Sequence, residues 1–349
     1  MKVLYFTKYS RLGASSRLRS FQYFPYLEEN NISITVKPLF DDDYVNAIYA
    51  KKSKKILILK AYINRFFLLF TLFQYDRVVL EKELFPYFFS WFERMLSFLG
   101  VKYIVDYDDA IFHNYDLSAN RGIRFLLKHK IDKVMKSSDC VIAGNSYLAQ
   151  RAIAAGAKKV EIIPTVIDIT RYELKKKTLS NDFIIGWIGS PSTFKYVKEL
   201  RGVLDEISQK YSVKIHVVGA NEDLGLENTH YFSWEETNEV MRIVEFDVGI
   251  MPLQDTPWEL GKCSYKLIQY MGCGLPVIAS PVGMNKEVIQ ENVNGLLAQS
   301  SKEWYNALER LIQDKELKIR LGEKGRNDVL NKYSLNIYRS NLLKLIQNG

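Results

Sequence analysis

The apolar positions of this chain fall into short dense runs separated by stretches with helical spacing. Lys2–Thr7 (KVLYFT) predicts a buried strand that enters a loop, Lys8–Ser16, containing Gly13. Arg17–Asn30 follows with Leu18, Phe21, Phe24 and Leu27 on one side, as a helix requires, and Ile32–Val36 reads as the next strand. Strand, helix and strand make a βαβ unit, and the pattern recurs. Strands are predicted at Arg77–Glu81, Tyr103–Asp106, Cys140–Ala143 and Glu161–Pro164, with helices at Tyr87–Leu99, Ile123–Ser137 and Ser146–Ala155.

Thr165–Asn181 is polar and charged and ends in lysines, which predicts a linker. The alternation then restarts. Phe183–Ile188 predicts a strand followed by "GSPST" and a helix. Further strands are expected at Lys214–Val218, Val248–Met251, Pro276–Ala279 and Gly295–Ala298, with helices at Trp234–Val244, Ser264–Met271 and Met284–Gln290. Two helices are expected to close the chain, the second at Leu335–Ile346. The expected class is therefore α/β, with two consecutive halves, each built on a mostly parallel sheet. Ligands of such sheets sit beyond the carboxyl ends of the strands, so a cleft between the halves is the expected site.

Composition narrows the partners. The chain has 349 residues, more than one ordinary core holds, and 47% hydrophobic with 25% charged residues fits a soluble globular protein. A net charge of +8 suits an anionic partner. The cysteines Cys140, Cys263 and Cys273 match no zinc spacing and fit a reduced, cytoplasmic setting. The N-terminus lacks the pattern of a signal peptide, and no uncharged apolar stretch is long enough to predict a transmembrane helix.

Several constellations carry candidate chemistry. "RLGASSR" (11–17) and "GSPST" (189–193) each follow the first strand of a half, where small residues and a helix start favour an anion. Each loop alone fits a plain βα turn with capping serines equally well. Arg17 and Arg19 oppose the helix dipole unless an anion is near. In "GKCSYKLIQYMGCGLPVIASPVG" (261–283), a helix beginning near Lys262 puts Lys262, Lys266, Gln269 and Cys273 on one stripe, a repulsion that a bound diphosphate reverses. Asp106, Asp108 and Asp109 lie just past a strand end, with His113 beyond them. They fit a base, metal ligands or sugar-hydroxyl acceptors, and equally plain turn residues. Lys51–Phe73 combines "KKSKK" with a dense aromatic and aliphatic run. It reads evenly as a helix docking on an anionic bilayer or as a core helix, with the net charge favouring the bilayer. No nucleic-acid recognition motif accompanies these aromatics, so no nucleic-acid partner is expected.

The segments "FIIGWIGSPST" (183–193), the stretch 246–289, "NVNGLLA" (292–298) and "GEKGRNDVLNKYSL" (322–335) resemble retaining nucleotide-sugar glycosyltransferases of the GT-B fold, glycosyltransferase family 4 in particular. "SRLRSFQYFPYLEENNI" (16–32), "YDDAIF" (107–112) and "IPTVID" (163–168) extend the resemblance to the first half. It implies two Rossmann-like domains facing across a cleft. Residues 1–168 would hold the acceptor, 181–334 the nucleotide sugar, and 335–349 would form a helix crossing back to the first domain. It also implies a metal-independent, cofactor-free hexosyl transfer, with retention, from a nucleoside diphosphate sugar to a saccharide or lipid-linked glycan. The setting implied is cell-surface polysaccharide biosynthesis in the cytoplasm, at the inner face of the membrane.

The same resemblance implies residue roles. Lys262 and Lys266 would neutralise the leaving diphosphate, and Asp108 and Asp109 would contact sugar or acceptor. Gly189, Ser190, Ser192, Glu259, Gln269, Gly283, Asn285 and Glu287 would form the donor site. Gly13, Ser15, Ser16, Arg17 and His113 would lie on the acceptor side. The chain departs from the family's pair of glutamates, which would fall on Gly261 and Gln269, and from its N-domain histidine, which would fall at or near Asp108. Alternatives are a GT-B nucleotide-sugar epimerase and a non-catalytic nucleotide-sugar binding protein. A two-lobed exported binding protein fits worse.

Overall fold

The computed structural model describes residues 1–49, 52–172, 182–220 and 222–348. Among them are two parallel sheets of six strands each. Most of the expected linker, 173–181, lies outside the described residues, as do positions 50 and 51 at the start of the basic aromatic segment. The chain divides into two compact units. The first comprises Met1–Thr165, Gly261–Cys263 and Asn336–Gly349, and the second Val166–Leu260 and Ser264–Leu335.

The first sheet contains β1 (Lys2–Phe6), β2 (Ser33–Val36), β3 (Arg77–Glu81), β4 (Tyr103–Tyr107), β5 (Cys140–Ala143) and β6 (Val160–Ile162), in the order β2-β1-β3-β4-β5-β6. β1, β4 and β5 are apolar along almost their whole length because helices cover both faces of a parallel sheet. Chain direction along the sheet reverses beside β1, so the carboxyl ends of β1 and β3 flank a topological switch point. The expected helix over 17–30 is broken into Ala14–Arg19, a 3₁₀ turn Phe21–Tyr23, and Phe24–Glu29 opened by Pro25 at a helix start. Tyr87–Leu99 narrows to a helix over Trp91–Phe98, and Ile123–Ser137 divides into Arg121–Leu127 and Lys130–Ser137.

The second sheet contains β7 (Phe183–Ile188), β8 (Val213–Val218), β9 (Thr229–Phe232), β10 (Val248–Met251), β11 (Val277–Ala279) and β12 (Leu296–Leu297), ordered β12-β11-β10-β7-β8-β9. β7 is flanked by β8 and β10, so the switch point of this sheet lies at its carboxyl end. Its core packs Ile185, Trp187, Phe194, Leu204, Val217, Ile250, Trp304 and Leu321. The strand β9, half exposed at the sheet edge, was not expected, since its THYF sequence has neither alternation nor an apolar run. Three helices close the chain, not two: Ser301–Gln313 with a capping box, Lys315–Lys332, and Leu335–Asn348.

Cys140, Cys263 and Cys273 are free and buried. Contrary to expectation, the helical stretch Lys55–Gln74 is long and apolar enough to cross a membrane by length and composition, with a mean hydropathy of 1.8. It tolerates Lys60 and Arg65 within that window. By the same measure 17% of it is buried.

Candidate functional site

In the second unit the loop Gly189–Thr193 leaves the carboxyl end of β7, at the switch point. Gly189 N–H still donates to Val218 O (3.0 Å), which pins the loop to the neighbouring strand. An ideal Cβ at Gly189 would stand 2.5 Å from the Trp187 ring and 2.8 Å from Lys266 Cε. Only glycine therefore lets Lys266 lie across the loop, with its ammonium 5.7 Å from the Trp187 ring centroid. Ser190 and Ser192 hydroxyls are 3.0 Å apart in the exposed part of the loop. A flexible cation, two hydroxyls and a glycine backbone thus meet at the place where α/β sheets take anionic ligands.

The helix carrying Lys266 is Tyr265–Gly272, entered through Ser264 in the left-handed region (φ 50°). This corrects the expected stripe. Lys262 lies before the helix start at Tyr265 and belongs to the first unit, so the two lysines are not a helical i,i+4 pair. Gln269, expected in the donor site, is buried, and its Nε2 donates to the Tyr172 phenol (3.1 Å). Glu259 is likewise buried, its carboxylate accepting from the Tyr196 and Thr256 hydroxyls. Asn285 is fully buried, between Ser264 Oγ (2.8 Å) and Ser280 O (3.0 Å). It braces the helix entrance from inside. Gly283 (φ 52°) turns against Leu260, and Glu287 is exposed on the short helix Asn285–Val288.

In the first unit the acidic segment after β4 closes on itself. Asp108 pairs with Lys82 Nζ (2.8 Å) and accepts from Ser15 Oγ (2.5 Å). Asp109 lies between Lys262 Nζ (2.8 Å) and Lys82 Nζ (3.7 Å). Glu81 accepts from Ser15 Oγ (2.9 Å), Ser16 Oγ (2.7 Å) and the Lys8 N–H (2.9 Å). Burial would raise the Asp108 carboxyl, but the Lys82 ammonium outweighs it and holds the group well below the usual carboxylate range. Glu81 goes the other way, pushed up by burial despite Lys82. For Lys262, burial lowers the ammonium and the Asp109 carboxylate more than restores it, so the net shift is upward.

Two expectations for this region change. Ser15 and Ser16 donate to carboxylates, so the 11–17 loop is no open anion cradle. The anion that relieves the basic helix is Asp106, which Arg19 holds through Nε (2.8 Å) while its Nη1 donates to Ile163 O (2.7 Å). Arg17 is buried, and Gly13 backs tightly on Tyr9. His113 bonds Asp116 through Nδ1 and the Tyr147 hydroxyl through Nε2, both at 2.8 Å. Gly261 explains one departure from the family pattern. A Cβ there would stand 2.5 Å from both Ala110 Cβ and N, leaving no room for a glutamate. Among the described residues no group of three or more His, Cys, Asp or Glu is arranged to hold a metal ion.

Sequence reasoning missed Lys82, Glu81 and the pair Lys130–Glu83 with Tyr115. The signal was "LEKE" (80–83), alternating charge directly at the end of an apolar strand, where a solvated turn has no need of it.

Residues 182–314 match the family model of glycosyl transferases group 1. No curated protein matches the chain. Among solved structures, HepE from Anabaena in complex with UDP aligns over 100% of both chains at 15% identity and a TM-score of 0.73. The same protein has been solved with UDP-glucose, at 16% identity and the same TM-score and coverage. Sucrose-phosphate synthase from Thermosynechococcus elongatus aligns over 99% of this chain and 98% of its own, at 14% identity and 0.75. A glycosyltransferase from Rickettsia africae covers 100% of this chain and 99% of its own, at 12% and 0.71. The chain thus has the two-domain GT-B fold of these structures, and its residues 182–314 are similar to glycosyl transferases group 1.

Proposed function

We propose that this chain is a retaining, metal-independent hexosyltransferase resembling glycosyltransferase family 4. It takes a nucleoside diphosphate sugar and glycosylates a saccharide or lipid-linked glycan during cell-surface polysaccharide assembly, at the cytoplasmic face of a membrane. The observation that carries this reading is Lys266 lying across the Gly189 loop at the switch point of the second sheet. As the bond from the sugar to the diphosphate breaks, negative charge grows on the departing phosphate oxygen. A cation and backbone N–H groups already in place stabilise that charge without reorganisation. The diphosphate role falls on Lys266, which lies across the loop, with Ser190 and Ser192 as hydroxyl donors. The HepE complexes with UDP and UDP-glucose favour a uridine nucleotide as the first donor to try. The exposed apolar helix Lys55–Leu68 favours a lipid-linked acceptor.

Thermal-shift titration against nucleoside diphosphates and their sugars tests the donor site; at least one is expected to raise the melting temperature, and a flat response to all of them removes the reading. With the responding donor, Lys266→Ala is expected to slow turnover by about 10²–10³-fold, the usual effect of deleting one charge-stabilising group. A binding-only protein would show the shift with no sugar transfer or donor turnover, and an epimerase would turn over donor with no acceptor present.

A further inference from the structure

The helix Lys55–Leu68 wears its faces the wrong way round for a soluble protein. Ile56, Leu59, Ile63, Phe66, Phe67 and Phe70 recur at three- and four-residue spacing and are exposed, Phe67 at 64% and Phe70 at 71%. Lys60, Asn64 and Arg65 line a cavity of about 560 Å³ with Lys37, Phe40 and Tyr44, and Phe67 of the stripe lines it too, so the basic groups adjoin the apolar surface. The neighbouring helix Trp91–Phe98 extends the apolar surface with Trp91, Met95 and Phe98, and an edge contact between Phe66 and Phe92 (6.1 Å) ties the two together. Arg65 is the unusual member. It is 1% exposed, stands 4.2 Å over the Phe6 ring, and donates through Nη2 to Thr7 O (3.2 Å) and Lys37 O (3.0 Å). Its Nε has no hydrogen-bond partner, and among the described residues Glu81 is the carboxylate that acts on it, without an ion-pair contact. Buried guanidinium groups are ordinarily paired, because desolvating an isolated charge is expensive. The acid lining this cavity, Asp41, accepts from the Tyr44 N–H (3.1 Å).

We infer that this cavity binds the phosphate of an anionic lipid, with Lys37, Lys60 and Arg65 around the headgroup and the Ile56–Phe70 stripe seated among the acyl chains. The inference rests on the reading of a lipid-borne acceptor. Charge complementarity selects the occupant: an apolar partner protein satisfies the stripe but leaves the basic cavity empty, whereas a phospholipid satisfies both at once. Trp91 at the edge of the patch suits the boundary between headgroups and water.

Vesicle flotation of the full chain, without donor, tests it. Binding to phosphatidylcholine vesicles containing phosphatidic acid is expected to exceed binding to phosphatidylcholine alone by at least about ten-fold, as for several basic groups near one anionic surface. Lys60→Ala, at an exposed position, is expected to weaken it about five-fold. Phe67→Ser with Phe70→Ser should abolish flotation on both vesicles. Arg65→Lys keeps the charge but loses the fork, and its melting curve establishes whether it folds; Lys60→Ala decides the matter if it does not. Equal binding to both vesicles, or no effect of Lys60→Ala, overturns the inference. So does calorimetric binding of inorganic phosphate alone at the affinity seen for vesicles, which marks a free-anion site. Dimerisation lost in the Phe67→Ser and Phe70→Ser variant would mark a surface for a second copy and also overturns it. Donor thermal shifts use none of these residues, so failure here leaves the donor reading standing.

Discussion

Asp108 keeps its charge inside the first unit because the Lys82 ammonium stands 2.8 Å away, and that dependence sets how it responds to pH. In the unfolded chain an aspartate titrates near about 4. In the folded chain burial resists ionisation, but Lys82 and the Ser15 hydroxyl overcome it and depress the group. A depressed acid contributes stability fully above its unfolded pKa and loses it as pH falls toward the folded value. The melting temperature should therefore fall as pH drops below about 4. Glu81, whose pKa is raised by burial and by the neighbouring Asp108, contributes with the opposite sign, so the difference between wild type and Asp108→Asn reads Asp108 together with its effect on Glu81. That variant should lose about 3–5 kcal/mol at neutral pH, because Lys82 is left buried without its nearest carboxylate, with Asp109 at 3.7 Å and Glu81 to answer it. Its deficit should shrink in acid. A deficit independent of pH would mean that Asp108 acts by packing alone.

Legibility at this scale was uneven for a physical reason. That Gly189, Ser190 and Ser192 sit in a loop at a strand end was readable, because an apolar run followed by small residues writes a strand and its turn. The partners of Arg19 and Ser15 were not legible, since those carboxylates lie far along the chain and no local pattern shows such a pairing. Gln269 was readable as a departure from the family pattern, but its burial against Tyr172 was not.

The elements that place Lys266 depend on close packing behind them. The helix Lys315–Lys332 crosses the turn after Tyr265–Gly272, and an ideal Cβ at Gly322 would stand 2.1 Å from the Gly274 carbonyl oxygen. Gly325 faces Met271 in the same contact. Gly322→Ala gains about 1 kcal/mol of intrinsic helix propensity. Overpacking typically costs 1–3 kcal/mol, and a clash with backbone, which cannot rotate away, belongs at the upper end. The expected net is a loss of about 1–2 kcal/mol, read as a lowered melting temperature together with a weaker donor shift. A melting temperature at or above wild type would show that the two elements separate without cost. Element boundaries were legible where apolar runs were solid, as in β1 and β4. They failed where turns came from single residues, such as Ser264 with its positive φ, which moved the helix start past Lys262.

At the scale of the molecule the alternation of strands and helices was enough to foresee two parallel α/β halves, because a sheet buried on both faces must be written in solid apolar runs. The return of the last helix was expected from the family resemblance, whereas the inclusion of Gly261–Cys263 in the first unit was not legible. Residues Asn336–Gly349 cluster with the first unit, although the second unit precedes them directly in the chain. Leu342, Leu343, Leu345 and Ile346 are buried, and Leu342 lines a small cavity with Tyr5, Tyr23, Val79 and Ile142 of the first sheet and its first helices. Arg339 stacks over the Tyr26 ring at 4.6 Å. Each of those apolar side chains is worth about 1.5–3 kcal/mol of burial. Together they rival the whole stability of an ordinary domain, about 5–15 kcal/mol. Deleting residues 336–349 should therefore unfold or severely loosen the first unit while sparing the second. Hydrogen exchange resolves the two outcomes by location: amides of β1, β3 and β4 should lose protection, and those of β7, β8 and β10 should keep it. If the donor site lies wholly within the second unit, the truncated protein should also retain its thermal response to nucleotide. Uniform loss of protection across both sheets would mean instead that the units fold as one.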